Sequence, residues 1–247
     1  MNEVIKTILG LKTTRKSDFS NRIIEDEKIE LIKQAIIRTS NASNRQSYSI
    51  IVLDEEKARE ASLPGNRVFV FCIDFLRLHK CAEQLKCELD SQYFMQYTTA
   101  LIDISLLIQS TVIAAQSLGI DTLITNEIYQ NKLDTISPIL NIPEAYVFPM
   151  IAVCMGYSKT EKKVEKGRID SKYIFFDNEY GKCSIDDIKR IINETDSEER
   201  NIGLIQKWNE MGYNHYYEWF FNKWSQTIGT KSESEALEKT LKAHKIL

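Results

Sequence analysis

Glycine-rich phosphate loops are missing from this 247-residue chain. No G-x-G-x-x-G follows a strand-like segment, and neither G-x-x-x-x-G-K-[ST] nor G-x-S-x-G occurs. Dinucleotide-fold dehydrogenases, P-loop enzymes and serine hydrolases with a nucleophile elbow are thereby excluded. The five cysteines, Cys72, Cys81, Cys87, Cys154 and Cys183, form an odd set with no C-x-x-C pair. Neither a disulfide framework nor a zinc or iron–sulfur site is signalled, and reduced thiols in a cytoplasm fit best. His79, His215 and His244 lie far apart, none at helical spacing from another candidate ligand, so no metal is expected. Charge of one sign is also lacking: 32 basic against 35 acidic residues leave a net charge of −3. Such a surface has no broad positive field to attract nucleic acid or an anionic membrane. The amino terminus carries only a short apolar patch interrupted by Lys6. No apolar run approaches the roughly 20 residues of a spanning helix.

What is present is ample core material, 43% apolar residues, in an alternating order of elements. After a short first helix, Asp26 to Arg38 places Ile29, Ile32, Ile36 and Ile37 on one face with acidic residues in its first turn, which predicts an amphipathic helix. Ser47 to Asp54 and Arg67 to Asp74 are rich in β-branched and aromatic residues and read as strands, with Pro64-Gly65-Asn66 punctuating the approach to the second. From about Met95 to Leu118 the chain is apolar on nearly every face and ends at Gly119, which predicts a central buried helix. Asp121 to Thr125, a helix containing Leu133 and Ile136, and the apolar strand Ala145 to Tyr157 complete a layered domain. No proline follows Pro149, and from Cys183 onward charged helical segments and an aromatic cluster take over. The expected division is a main domain at 1–180 and a helical extension at 181–247.

Three polar features carry candidate chemistry. Arg15-Lys16-Ser17 and Lys166-Gly167-Arg168 each combine donors suited to a phosphate: the planar fork of Arg, the point charge of Lys and, in the first, a hydroxyl. The loop Thr39 to Gln46, TSNASNRQ, lies between a helix and a strand. Its small polar side chains leave backbone groups open to a flat heteroaromatic edge.

In order and spacing these features resemble the nitroreductase family. The resemblance rests on Arg15-Lys16-Ser17, on Asn44-Arg45-Gln46 at a helix-to-strand junction, on Asp103, Gln109, Ala115 and Gly119 along the central helix, and on Gly156, Tyr157, Lys166 and Arg168. It spans residues 13–170, about two thirds of the chain. The family implies an α+β fold with a mixed, mainly antiparallel sheet wrapped by helices, and a homodimer with one FMN at each subunit interface. By that resemblance Arg15, Ser17, Lys166 and Arg168 hold the FMN phosphate and ribityl oxygens, with Lys16 in the same cluster. Ser40, Asn41 and Asn44 approach the flavin from the partner subunit, and Thr125 and Asn126 lie beside the isoalloxazine ring. The implied reaction carries hydride from NADH or NADPH to an electron-poor small-molecule acceptor, a nitroaromatic or quinone, by ping-pong kinetics. No protein nucleophile is then required, and the chain shows no catalytic dyad. Reductive dehalogenation, flavin destruction, or a flavin-binding protein without efficient turnover are the alternatives.

The chain departs from the family at Phe19, where many relatives carry a second basic residue, and Arg22 or Arg45 are the candidate replacements. Prolines that usually flank the polar loop are replaced by Thr39 and Ser47. Asp103 and Gln109, polar in an apolar helix, are expected to cap loops across the dimer, and Asp74 and Arg77 to form a surface ion pair. Tyr213, Tyr217, Phe220 and Trp224 fall on one helical face, with Tyr216 and Trp219 near the other; packing is the expected role, a lid over the acceptor site the alternative.

Overall fold

The computed structural model describes residues 1–160 and 166–247. Helices α1 (Glu3–Leu9) and α2 (Asp26–Ile36) precede β1 (Tyr48–Leu53), α3 (Glu55–Glu60) and β2 (Arg67–Asp74). Then come α4 (Leu76–Leu85), α5 (Phe94–Ser117), β3 (Asp121–Thr125), α6 (Leu133–Ile139) and β4 (Val147–Gly156). The remaining helices are α7 (Ile185–Asp196), α8 (Tyr216–Trp219) and α9 (Lys231–Ala243).

The four strands run in the order β1-β2-β4-β3, every neighbouring pair antiparallel. Among the described residues the parallel pairing is confined to an isolated bridge between Thr13 and Thr122. Central strands β2 and β4 are buried almost throughout, which is why both read as continuous apolar runs rather than alternating ones. Pro149 has no N–H to give the ladder and lies where the β2–β4 register shifts, between Phe71 and Cys72. On one face of the sheet Phe69, Phe71, Ile73, Phe148 and Met155 pack with Ile29, Ile32 and Ile36 of α2 and with Ala100, Ile104 and Leu107 of α5. On the other, Val68, Val70, Ala152 and Cys154 pack with Ala58 of α3 and Ile136 of α6.

Several expectations need correction. Ile37 closes α2 rather than extending its core face and is 69% exposed. Helix α5 is long and apolar enough to cross a membrane by length and composition, contrary to the expectation above; here its buried side packs in the core. That burial is one-sided, since Ile102 and Leu106 are exposed. Gln109 is exposed too, so it is not the buried polar group its surroundings in sequence suggest. The aromatic stretch does not form one continuous helix: Gly212 has a left-handed φ of 85°, α8 lasts one turn, and a π-turn follows from Phe220 to Trp224. Tyr216 and Trp219, at 6% exposure each, are the buried pair.

Among the described residues the chain groups into two compact units, Met1–Lys163 with Glu235–Leu247, and Val164–Ser234. The division at 180 therefore falls inside the second unit, and the end of the chain belongs to the first. The reason is burial: Leu241 and Ile246 are in the sheet's main core, and Tyr146 N–H donates to the His244 carbonyl at 2.7 Å.

Candidate functional site

In the first unit, the segment from Thr13 to Ser20 is fastened to the ends of β3 and β4. Thr14 N–H donates to the Thr122 carbonyl at 3.0 Å, and the Thr14 and Ser158 hydroxyls are 2.7 Å apart. Ser20 N–H donates to the Tyr157 carbonyl and Lys159 N–H to the Asp18 carbonyl, both at 2.7 Å. Between these fastenings the 3-10 turn Lys16–Asp18 stands proud, and the side chains of Arg15, Lys16 and Ser17 are all exposed. The Ser17 hydroxyl donates to Asp18 at 3.1 Å, while Arg15 and Lys16 form no ion pair among the described residues. Such a turn offers cationic donors without having to break internal bonds first.

Thr125 and Asn126 follow at the end of β3. The Thr125 hydroxyl accepts from Glu127 N–H at 3.3 Å, and Asn126 donates its side-chain amide to the Tyr129 hydroxyl at 3.1 Å. Glu127 is held below the usual carboxylate range, first by its hydrogen bond to Lys132 and in smaller measure by the charge of Lys16. The field of the basic turn thus reaches this loop, which sequence spacing does not reveal.

The loop between α2 and β1 is conformationally unusual. Ser43, Asn44 and Gln46 all adopt left-handed backbone, with φ of 53°, 53° and 52°; Asn tolerates this best, the others less readily. Three pins hold it: Ala42 N–H donates to Asp103 Oδ1 at 2.9 Å, Arg45 donates to Gln96 Oε1, and Arg77 donates to the Gln46 and Tyr48 carbonyls at 2.5 and 3.1 Å. Asp103 thus caps a loop of its own chain. Arg77 serves those carbonyls more closely than Asp74, which is 3.9 Å away and caps α4 through Leu76 N–H. Ser40 and Asn44 are exposed, whereas the buried atoms Thr39 Oγ1, Asn41 Oδ1, Arg45 Nε, Ser47 Oγ and Asp103 Oδ2 have no hydrogen-bond partner. Buried polar atoms are seldom left so, and here five cluster around one loop.

Phe19 is a core residue, 8% exposed, and a Cβ at Gly156 would come 2.7 Å from its ring. A ring packed there is no substitute for a ligand-facing cation. Of the two candidate replacements, Arg22 lies 3.9 Å over the Tyr157 ring and pairs with Glu25 at 3.2 Å. Arg45 keeps an unpartnered Nε.

Lys166 and Arg168 belong to the second unit. There Lys166 Nζ donates to Asn201 Oδ1 at 2.9 Å and to the Gly203 carbonyl at 2.5 Å. Arg168 folds back on the carbonyls of Lys166 and Gly167 at 2.9 and 2.8 Å, and Arg200 donates to the Arg168 carbonyl at 2.7 Å. Gly167 lies so close to the Arg200 carbonyl that a Cβ would stand 1.9 Å from its oxygen, so glycine is required. The structure therefore brings Lys16 within electrostatic reach of Glu127 in the loop after Thr125, and Lys166 and Arg168 bond to groups of the second unit.

The family model described as "Nitroreductase family" matches residues 12–157, more than half of the chain. The chain belongs to the nitroreductase family. Among curated relatives of this nitroreductase-family protein, an FMN reductase (NADPH) of Bacillus subtilis is 31% identical over 209 residues, covering 79% of this chain and 81% of the relative. A Cr(VI) reductase of a Pseudomonas species is 29% identical over 200 residues, covering 75% and 81%. Among solved structures, a B. subtilis nitroreductase superposes with a TM-score of 0.79 at 23% identity, covering 98% of both chains. An NADPH:FMN oxidoreductase of Vibrio harveyi, complexed with NAD+, gives 0.76 at 21% identity, covering 100% of this chain and 99% of that one. These two show that the whole chain shares the nitroreductase fold.

Proposed function

We propose that this protein is an FMN-dependent NAD(P)H oxidoreductase that reduces an electron-poor acceptor such as a nitroaromatic or a quinone. The observation that carries the reading is the exposed Arg15-Lys16-Ser17 turn, stitched on both sides to the sheet, whose Arg15 and Lys16 form no ion pair among the described residues and so are open to a dianionic phosphate. The relatives' names, FMN reductase (NADPH) and Cr(VI) reductase, support the same reaction class. Bound FMN would supply the redox chemistry, receiving hydride from the nicotinamide and passing it to the acceptor in alternate halves of a ping-pong cycle. The chain's task is to hold, orient and shield: Arg15, Lys16 and Ser17 take the phosphate, and Thr125 and Asn126 border the ring. Ser40, Asn41 and Asn44 meet the flavin of a partner subunit, and Arg45 is the cation that takes the place left without charge at Phe19.

A homodimer is part of the proposal. Val4, Ile5, Ile8 and Leu9 of α1 and Ile102 and Leu106 of α5 are exposed, and α1 packs on α5. An apolar surface built from two adjoining helices is what an obligate interface needs. Cytoplasmic conditions fit the free thiols of Cys81, Cys87 and Cys183.

The test is an absorbance spectrum of the purified protein followed by anaerobic addition of NADPH. Oxidised-flavin bands that bleach and return with a quinone or nitrofuran are expected, and Arg15→Ala is expected to weaken FMN binding about tenfold, the effect of one lost charge-assisted bond. Flavin-loaded protein that neither nicotinamide bleaches would refute it.

A further inference from the structure

We infer that Asp103 is a positioning residue for flavin binding: by holding Ala42 N–H it keeps the polar loop after α2 in its ligand-ready shape without touching the ligand itself. This rests on the proposal that the loop borders the flavin.

Asp103 is 1% exposed, on the buried side of α5, among apolar neighbours. A carboxyl group there is costly unless it is used. Its Oδ1 accepts Ala42 N–H at 2.9 Å, and its Oδ2 has no partner. No ion pair to Asp103 occurs among the described residues, so its function is not charge neutralisation of a neighbouring cation. What it touches is the first residue of the 3-10 turn Ala42–Asn44, immediately before the left-handed pair Ser43 and Asn44. Arg45 N–H donates back to the Ala42 carbonyl at 3.1 Å, so Ala42 is the hinge of the turn, and Asp103 fixes that hinge to the long central helix α5. Flanking the hinge are Asn41 Oδ1 and Arg45 Nε, two of the loop atoms lacking partners. Left-handed backbone at Ser43 and Gln46 is unfavourable by itself and persists only where its surroundings enforce it. Without the Asp103 bond the loop would relax, and the unpartnered atoms would lose their common orientation before any ligand arrived.

Three variants test this. Asp103→Asn keeps an oxygen for Ala42 N–H. Asp103→Leu removes it with a larger, apolar side chain of the same branching. Ala42→Pro removes the donor instead and leaves Asp103 in place; the exchange suits the backbone, because Asn41, at φ −147° and ψ 161°, has the extended conformation a residue before proline takes, and Ala42 opens a helical turn. FMN affinity is measured by fluorescence quenching, together with the visible absorption bands of the bound flavin and Tm. Asp103→Asn is expected to match the parent in Kd and spectrum. Asp103→Leu and Ala42→Pro are expected to raise Kd about tenfold and move the bands toward those of free FMN. Unchanged Kd and bands in Ala42→Pro would overturn the inference whatever happens to Tm, as would an Asn variant as impaired as Leu. If Asp103→Leu fails to fold, Ala42→Pro decides alone. If the parent protein itself binds no FMN, the proposed function falls; the latch is then read from amide exchange at Arg45 N–H, which must quicken in Ala42→Pro and stay slow in Asp103→Asn.

Discussion

Phe19 and Glu25 show how differently two neighbouring positions are employed. Phe19 occupies a closed space against Gly156, so replacing it with a cation would place charge in the core rather than beside a ligand. Phe19→Ala is expected to destabilise the fold by about 3 kcal/mol, near the lower end for loss of a large core ring. In a chain of this length that is a fall in Tm of roughly 6–12 °C, read by calorimetry. Phe19→Arg is expected to lower Tm at least as far, with no gain in FMN affinity. Glu25 is a surface carboxylate whose Oε2 accepts from the Tyr157 hydroxyl at 2.5 Å and lies 3.2 Å from Lys28 Nζ. The Tyr157 hydrogen bond, aided by Glu25's own backbone and by Lys28 and Arg22, holds its pKa at about 2 against 4.5 for a free side chain. A depressed pKa stabilises the folded state above pH 4.5, and that contribution is lost as pH falls from 4.5 toward 2. The difference in Tm between the parent and Glu25→Gln should therefore be present at pH 7 and vanish across that acidic window. A difference that persists at pH 2 would mean Glu25 acts through shape instead of charge.

At the scale of elements, α9 from Glu235 onward belongs to the core of a unit whose other part ends at Lys163, with the whole second unit, Val164–Ser234, between them in sequence. Leu241 is 3% exposed among the α2, α5 and sheet residues, Ile246 is fully buried, and the His244 ring meets Phe148 edge-on at 5.4 Å. A truncation after Lys182, which removes the aromatic stretch, would also uncover this core. Leu241→Ala is expected to cost about 2–5 kcal/mol, and a chain ending at Ser234 to be insoluble or aggregated by size-exclusion chromatography. Soluble, normally melting protein lacking residues 235–247 would contradict the packing seen here. Elements also differ in how openly the sequence declares them. Strand β2 was readable to the residue, Arg67–Asp74, because a strand buried on both faces has an unbroken apolar run. The polar loop at 39–46 was readable as a loop, but its left-handed residues were not, since Ser43 and Gln46 carry no glycine-like signal and are held by Asp103, Gln96 and Arg77, all distant in sequence.

For the molecule as a whole, one face of α5 lies in the core and the other still shows Ile102 and Leu106. A helix apolar all round must bury both sides somewhere, and the proposed subunit interface is where the second side goes. Ile102→Glu with Leu106→Glu is expected to shift the mass by light scattering from two chains to one and to release FMN, because each flavin would lose the loop contributed across the interface. A double variant that stays dimeric would place the interface elsewhere.

The sequence by itself determined the family, the alternation of helices and strands and the basic turn at Arg15-Lys16-Ser17, because periodicity and local donor chemistry are properties of neighbouring residues. Only the tertiary structure decided that Phe19 is core, that Asp103 fastens the polar loop of its own chain, that Lys166 spends its ammonium on Asn201 and Gly203, and that α9 returns to the first unit. Each of these depends on which distant segment fills a space or completes a hydrogen bond, and burial of that kind leaves no periodic trace along the chain.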